Sequence, residues 1–147
     1  EGVNWPEYKE FADVCVQALQ SRGLGDRLVI QSFDTRALNY IHGRYPQLRL
    51  SYLTDKSDTD FDSFMAELEF IPDWLSPHHS VVDEDLVQKC HDKGMKIVPW
   101  TVDDSDELRR LIDLRVDAII TNYPDRLLKL TRGYAEPAPG PIPERTH

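Results

Sequence analysis

The chain carries 26 acidic against 17 basic residues among its 147, a formal charge of −9 at pH 7, and so lacks the positive field that binds nucleic acid or an anionic membrane. No run approaches the ~18 apolar residues of a membrane-spanning helix, and the length accommodates one domain with a substantial core. Compartment stays open: Cys15 and Cys90 both fall on predicted helices among apolar neighbours, which reads as two buried free thiols rather than a disulfide.

Trp5-Pro6 introduces a first helix in which Phe11, Val14, Cys15, Ala18 and Leu19 follow helical spacing, with Gly23 placed to end it. Arg27 to Phe33 is a strand, and Asp34 caps a helix that turns Ala37, Leu38 and Ile41 inward. Leu48 to Leu53 is the second strand. Leu48, Leu50 and Tyr52 fall on one side of it, Arg49, Ser51 and Leu53 on the other, a mixed face of the kind that lines a barrel interior. Asp58, Asp60, Asp62 and Glu69 then occupy the first, third, fifth and twelfth positions of a calcium-binding loop, but Ser63 stands where that loop needs glycine. Phe61, Phe64, Met65 and Leu68 have helical spacing across the same residues, so a helix beginning near Asp60 or Asp62 is the preferred reading.

Trp74 to Ser76 is a third strand, stopped by Pro77 and followed by the His78-His79 loop. Asp83 caps a helix over Glu84 to Lys93, which Gly94 terminates. Lys96 to Val102 is a fourth strand, the acidic turn Asp103 to Asp106 caps a helix over Glu107 to Leu114, and Ala118 to Thr121 is a fifth strand. Pro124 sits where a first helical turn accepts proline. Strand starts recur 20 to 26 residues apart, the rhythm of βα units, and nearly continuous apolar strands suit a parallel sheet. The expected fold class is therefore α/β, with about five parallel βα units over residues 1–133 and a mobile tail at 134–147, where Pro137, Pro139, Pro141 and Pro143 accompany almost nothing apolar.

The segment IVPWTVDD followed by VDAIITNYPDRLLKL, with LVIQSFD and WLSPHHS upstream in matching order, resembles the C-terminal part of the glycerophosphodiester phosphodiesterase family over Arg27 to Leu130. The resemblance implies a (β/α)8 TIM-type barrel that uses a divalent cation, Ca or Mg, and a histidine pair to hydrolyse a glycerophosphodiester to glycerol 3-phosphate and an alcohol. The family's His-Arg-Gly strand, Glu-x-Asp pair, His-Asp and Glu-Ile-Lys strand are not in this sequence; Glu1 is followed by Gly2 and Val3. A complete barrel needs ~250 residues. The expectation is thus a partial barrel whose N-terminal catalytic half, with the metal ligands, lies outside this chain. Its partners would be the glycerophosphodiester substrate and either the missing half or a second copy across the open sheet edges. The alternative is a non-catalytic half-barrel assembly module. Arg115 and Ala118 stand where the family usually has glycine.

In a parallel barrel the active face lies at the C-terminal ends of the strands. That rule selects Gln31 to Asp34, Tyr52 to Asp55, Ser76 to His79, Trp100 to Asp103 and Thr121 to Tyr123. The substrate-binding candidates are Ser32, Phe33, His78, Trp100 and Asn122: Phe33 and Trp100 as apolar walls, Ser32 and Asn122 as hydrogen-bonding groups. Structural roles compete for each position. Trp100 and Phe33 suit a core, Ser32 can satisfy neighbouring backbone, and Asp34 and Asp103 or Asp104 read as helix caps. Adjacent histidines on an extended loop point to opposite sides, so at most one of the pair, His78, is nominated.

Overall fold

The computed structural model describes residues 7–57 and 60–132. Its helices are α1 (Tyr8–Gln20), α2 (Thr35–Arg44), α3 (Phe61–Met65), α4 (Glu84–Asp92), α5 (Ser105–Asp113) and α6 (Pro124–Thr131), and its strands β1 (Val29–Ser32), β2 (Arg49–Thr54), β3 (Trp74–Pro77) and β4 (Lys96–Ile97). All strands pair in parallel, in the order β1-β2-β3-β4. Because parallel crossovers are right-handed, an order that never reverses sends every crossover helix to the same face. That is the winding of a barrel, not of a doubly wound sheet.

The two sheet faces are accordingly unlike. Tyr52, Leu75 and Ile97 stand in register on one face, with Leu50 and Ile30 one layer below. They form one core with Leu38, Ile41, Phe64, Val87, Cys90, Leu108 and Leu111 from the helices, each full burial of a large apolar side chain contributing about 1.5–3 kcal/mol. Burial also pushes the Cys90 thiol up to about 12, with Asp117 adding to the shift, so it is an inert core group; Cys15 is half-buried and likewise free. The opposite face carries Gln31, Ser51, Trp74 and Lys96 in one register layer, with the Gln31 amide donating to Ser51 Oγ at 3.3 Å. The mixed pattern of the second strand is thus divided between a helix-covered face and a polar inner face.

Aspartates start the helices as the sequence indicates. Asp34, Asp60, Asp83 and Asp104 each accept a hydrogen bond from a first-turn backbone N–H of α2, α3, α4 and α5, an arrangement typically worth about 1 kcal/mol per helix. Asp60 therefore belongs to a helix cap; Asp58 of the calcium-loop pattern lies outside the described residues, as do Trp5-Pro6 and the proline-rich segment 134–147.

Two expectations need correction. The inward side of α1 is Ala12 and Val16, whereas Phe11 and Val14 are 61% and 65% exposed. The fifth strand is also not formed as a ladder: β4 covers two residues, and Ala118 to Thr121 forms no strand among the described residues. The cause is chemical. Pro99 has no N–H to give, and the Ile97 N–H is taken by the Asp117 carboxylate at 2.8 Å. Three backbone bonds still hold the segment beside β4, Asp117 N to Ile97 O, Ile120 N to Pro99 O and Val102 N to Ile120 O. Asp73 repeats the device two strands earlier, accepting from Leu50 N at 2.9 Å. Sequence reading missed both aspartates, although each immediately precedes its strand.

α4 and α5 end alike. After α4, Gly94 has φ 73°, its N–H bonds His91 O, and Met95 N–H reaches back to Cys90 O at 2.9 Å. After α5, Arg115 has φ 60°, its N–H bonds Ile112 O, and Val116 N–H reaches Leu111 O at 3.4 Å. Both are left-handed helix terminations that favour glycine; here arginine occupies one, with the longer reach-back bond. Replacing it should relieve that strain, less the greater flexibility glycine gives the unfolded chain. Arg115→Gly is expected to raise unfolding free energy by about 0.5–1 kcal/mol, read from the urea midpoint at unchanged slope; a lower midpoint would refute the strain.

Candidate active-site mouth

The strand ends gather an aromatic row. His78 and Trp100 pair across an isolated parallel bridge just beyond β3 and β4, which places both side chains on the inner face. Their rings meet edge-on at 5.5 Å, and Phe33, just past β1, meets Trp100 edge-on at 6.0 Å. Trp100 is fixed at its far end too, its indole Nε1–H donating to Ser76 O at 2.9 Å. Ser76 is fully buried and its hydroxyl donates to Val98 O at 2.6 Å. Phe33 remains 54% exposed. Phe33 thus stands half-exposed against a hydrogen-bonded tryptophan and is not buried as a core side chain would be.

Ser32 is tied into its own loop, and Asn122 to the loop before α5. Ser32 Oγ accepts from Asp34 N at 3.0 Å, leaving its hydroxyl hydrogen to donate. Asp34 binds the Arg36 N–H and guanidinium, which hold its carboxyl below the usual range. Asn122 gives both its backbone N–H and its side-chain amide to Asp103 at 2.9 Å, which leaves its Oδ1 as an acceptor. These bonds, that of the Asn122 side chain foremost, lower the Asp103 carboxyl. Asp103 is therefore the tie between two strand-end loops, while Asp104 alone of the pair caps α5. Arg126 reinforces the tie by donating to Asp103 O and stacking on Tyr123 at 3.9 Å. The structure brings Phe33, His78 and Trp100 together; it does not bring Ser32 or Asn122 into that row.

The histidine pair departs from the expectation of opposed side chains. The two rings lie 4.4 Å apart, because the chain turns into a 3-10 helix at His79 instead of staying extended. Their polar partners nevertheless differ. His79 Nδ1 is 2.8 Å from Glu107 Oε1 on α5. Glu107 is gripped in turn by Arg110, whose guanidinium also donates to Val82 O and His79 O. This Arg110–Glu107–His79 chain anchors the loop after β3 to the helix layer. Sequence reading took Glu107 only as the first residue of the helix; its spacing from Arg110, one helical turn, was the available signal.

Arg110, followed by His79, holds the Glu107 carboxyl down to about 2 against burial that raises it. Since the folded value lies below the ordinary 4.5, the stability Glu107 contributes is complete above 4.5 and is lost as pH falls from there toward 2. Glu107→Gln is expected to lower unfolding free energy by about 1 kcal/mol at neutral pH, solvent screening a half-exposed cluster. Urea midpoints measured down the acid limb should fall less steeply in the variant than in the parent; parallel limbs would refute the assignment.

Among the described residues there is no cluster of three or more His, Cys, Asp or Glu side chains placed to hold a metal ion. The divalent cation that the resemblance implies therefore finds no such cluster among the described residues.

Winding, polar inner face and strand-end mouth define a parallel β/α protein of the TIM-barrel type, present in part. Residues 3–126 match the Glycerophosphoryl diester phosphodiesterase family, and the chain belongs to that family. It is 27% identical over 125 residues to a glycerophosphodiester phosphodiesterase of Caldanaerobacter subterraneus, covering 85% of this chain and 51% of that one. With a glycerophosphodiester phosphodiesterase of Bacillus subtilis it shares 26% over 110 residues, 74% of this chain and 38% of the other. Among solved structures, a glycerophosphodiester phosphodiesterase from Parabacteroides distasonis superposes with TM-score 0.75 at 28% identity, over 90% of this chain and 55% of that chain. An Oleispira antarctica phosphodiesterase in complex with the product sn-glycerol-3-phosphate does so with TM-score 0.70 at 20% identity, over 85% and 50%. The chain spans about half the length of the relatives it matches.

Proposed function

We propose that this chain forms one wall of the substrate mouth of a metal-dependent glycerophosphodiester phosphodiesterase, which releases glycerol 3-phosphate and an alcohol. Family membership supports the reaction class, and the Oleispira phosphodiesterase, of the same fold, holds sn-glycerol-3-phosphate. The observation that carries the wall assignment is the row Phe33–Trp100–His78 on the inner face at the strand ends. In this reading Phe33 and Trp100 cover the carbon skeleton, His78 bonds an oxygen, and Asn122 presents Oδ1 to a substrate hydroxyl, whereas Ser32, in register with Tyr52, lies on the helix-covered side and serves its own loop.

The divalent cation, Ca or Mg, and the acid–base groups belong, in the same reading, to the part of the enzyme outside these residues. That part completes the barrel along the edge of β1. An apolar groove of about 550 Å³ supports this docking, lined by Phe11, Cys15, Leu19, Leu28 and Ile30 among others, beside an edge strand whose outer backbone groups have no strand partner among the described residues. The misplaced apolar side of α1 is thereby explained: Phe11 faces a barrel neighbour, not this chain's own core.

The test is hydrolysis of glycerophosphocholine by the full-length protein and by this 147-residue chain, with divalent cation or with EDTA. Activity is expected in the full-length, metal-replete protein alone. Phe33→Ala and Trp100→Ala should each reduce its kcat/KM about tenfold. Activity of the 147-residue chain in EDTA, or wild-type kinetics in both variants, would overturn the assignment.

A further inference from the structure

Hydrogen bonding within the His78–Ser80 turn fixes which ring nitrogen of His78 carries the proton. His78 Nδ1 receives the Ser80 backbone N–H at 3.3 Å and lies 2.8 Å from Ser80 Oγ. A backbone N–H can only donate, so Nδ1 must be the acceptor, and the hydroxyl, which can rotate, donates to the same lone pair. In the neutral ring the proton then sits on Nε2. Among the described residues Nε2 has no hydrogen-bond partner, and the ring is held edge-on to Trp100 and against His79.

We propose that Ser80 is a positioning residue that locks His78 in the Nε2–H tautomer, so that His78 offers the mouth a hydrogen-bond donor and not a base. The group it suits is an anionic phosphoryl oxygen, which takes a stronger hydrogen bond from a fixed N–H than a hydroxyl does. His79 is held differently. Its Nδ1 faces an ionised carboxylate and so carries a proton, and the ring serves the loop anchor. The adjacent histidines thus adopt opposite tautomers, one turned toward ligand and one toward the helix layer. The ligand class rests on the proposed function; the tautomer does not.

Long-range proton–nitrogen correlation NMR of the full-length protein reads the tautomer directly, and glycerophosphocholine hydrolysis reads its consequence. His78 is expected to show the Nε2–H pattern, and its Nε2–H resonance should move when sn-glycerol 3-phosphate is added. His78→Gln reaches the Nε2 position with an amide donor and should keep kcat/KM within about threefold. His78→Asn preserves an acceptor for Ser80 but places nothing at Nε2 and should lose about tenfold or more. Ser80→Ala should mix the tautomers and lower kcat/KM about threefold, with Ser80→Thr restoring both. An Nδ1–H pattern, no response to sn-glycerol 3-phosphate, or equal losses in the Gln and Asn variants would overturn the proposal. If the full-length protein fails to hydrolyse glycerophosphocholine while the spectra behave as stated, the substrate reading falls and the positioning role stands.

Discussion

Consecutive parallel pairing is the constraint on which the rest of the structure depends. Once β1, β2, β3 and β4 lie side by side in chain order, the handedness of the crossovers leaves one sheet face for helices and frees the other. Alternation along each strand then assigns every residue a role: Leu50, Tyr52, Leu75 and Ile97 to the core, Ser51, Ser76 and Lys96 to the inner face. The same pairing aligns the strand ends, so that residues far apart in sequence, such as Phe33 and Trp100, come into ring contact. Fold and mouth are consequences of a single hydrogen-bonded order.

The opposite ends of the sheet are handled by different chemistry. At the strand starts, Asp73 and Asp117 accept backbone N–H groups from the strand before, substituting carboxylate oxygens for ladder carbonyls. Such bonds to a charged acceptor are stronger than neutral ones and pin the start of each pairing. At the strand ends, regular pairing gives way early, at Pro77 and Pro99, and side chains replace it: Trp100 onto Ser76 O, Asp103 onto Asn122 and Thr121. Loops fixed by side-chain bonds can hold ligand-facing groups in place where a continued ladder would bury them.

Local signals were the legible ones. A helix cap needs only an aspartate a few residues before an apolar period, and Asp34, Asp83 and the start of α3 followed from that alone. The candidates Phe33, His78 and Trp100 followed from the strand-end rule, which requires only the strand limits. What failed depended on partners distant in sequence. Nothing local distinguishes Asp103 from Asp104 until the loop at Asn122 is placed beside it. The Phe11 and Val14 period is genuine, but those side chains look away from this chain's core, so periodicity alone misassigned the buried side. The fifth strand was read from apolar content, which cannot register that Pro99 opposite it lacks a donor.

Charge places a final limit on the mouth. Among the described residues, several cations already have partners: Arg36 is bound to Asp34, Arg110 to Glu107, Lys56 to Glu67, and Arg126 lies on Tyr123. On the proposed reading, a phosphodiester meeting this wall would find aromatic surface and the His78 Nε2–H, in a chain of net charge −9. Neutral donors orient an anion but compensate its charge weakly, and a phosphoryl group approaching acidic surroundings without compensation is repelled. On the proposed reading, the positive charge must therefore come from the remainder of the barrel. On that reading this wall would recognise and orient the substrate, and charge neutralisation and bond cleavage would fall to the residues that face it.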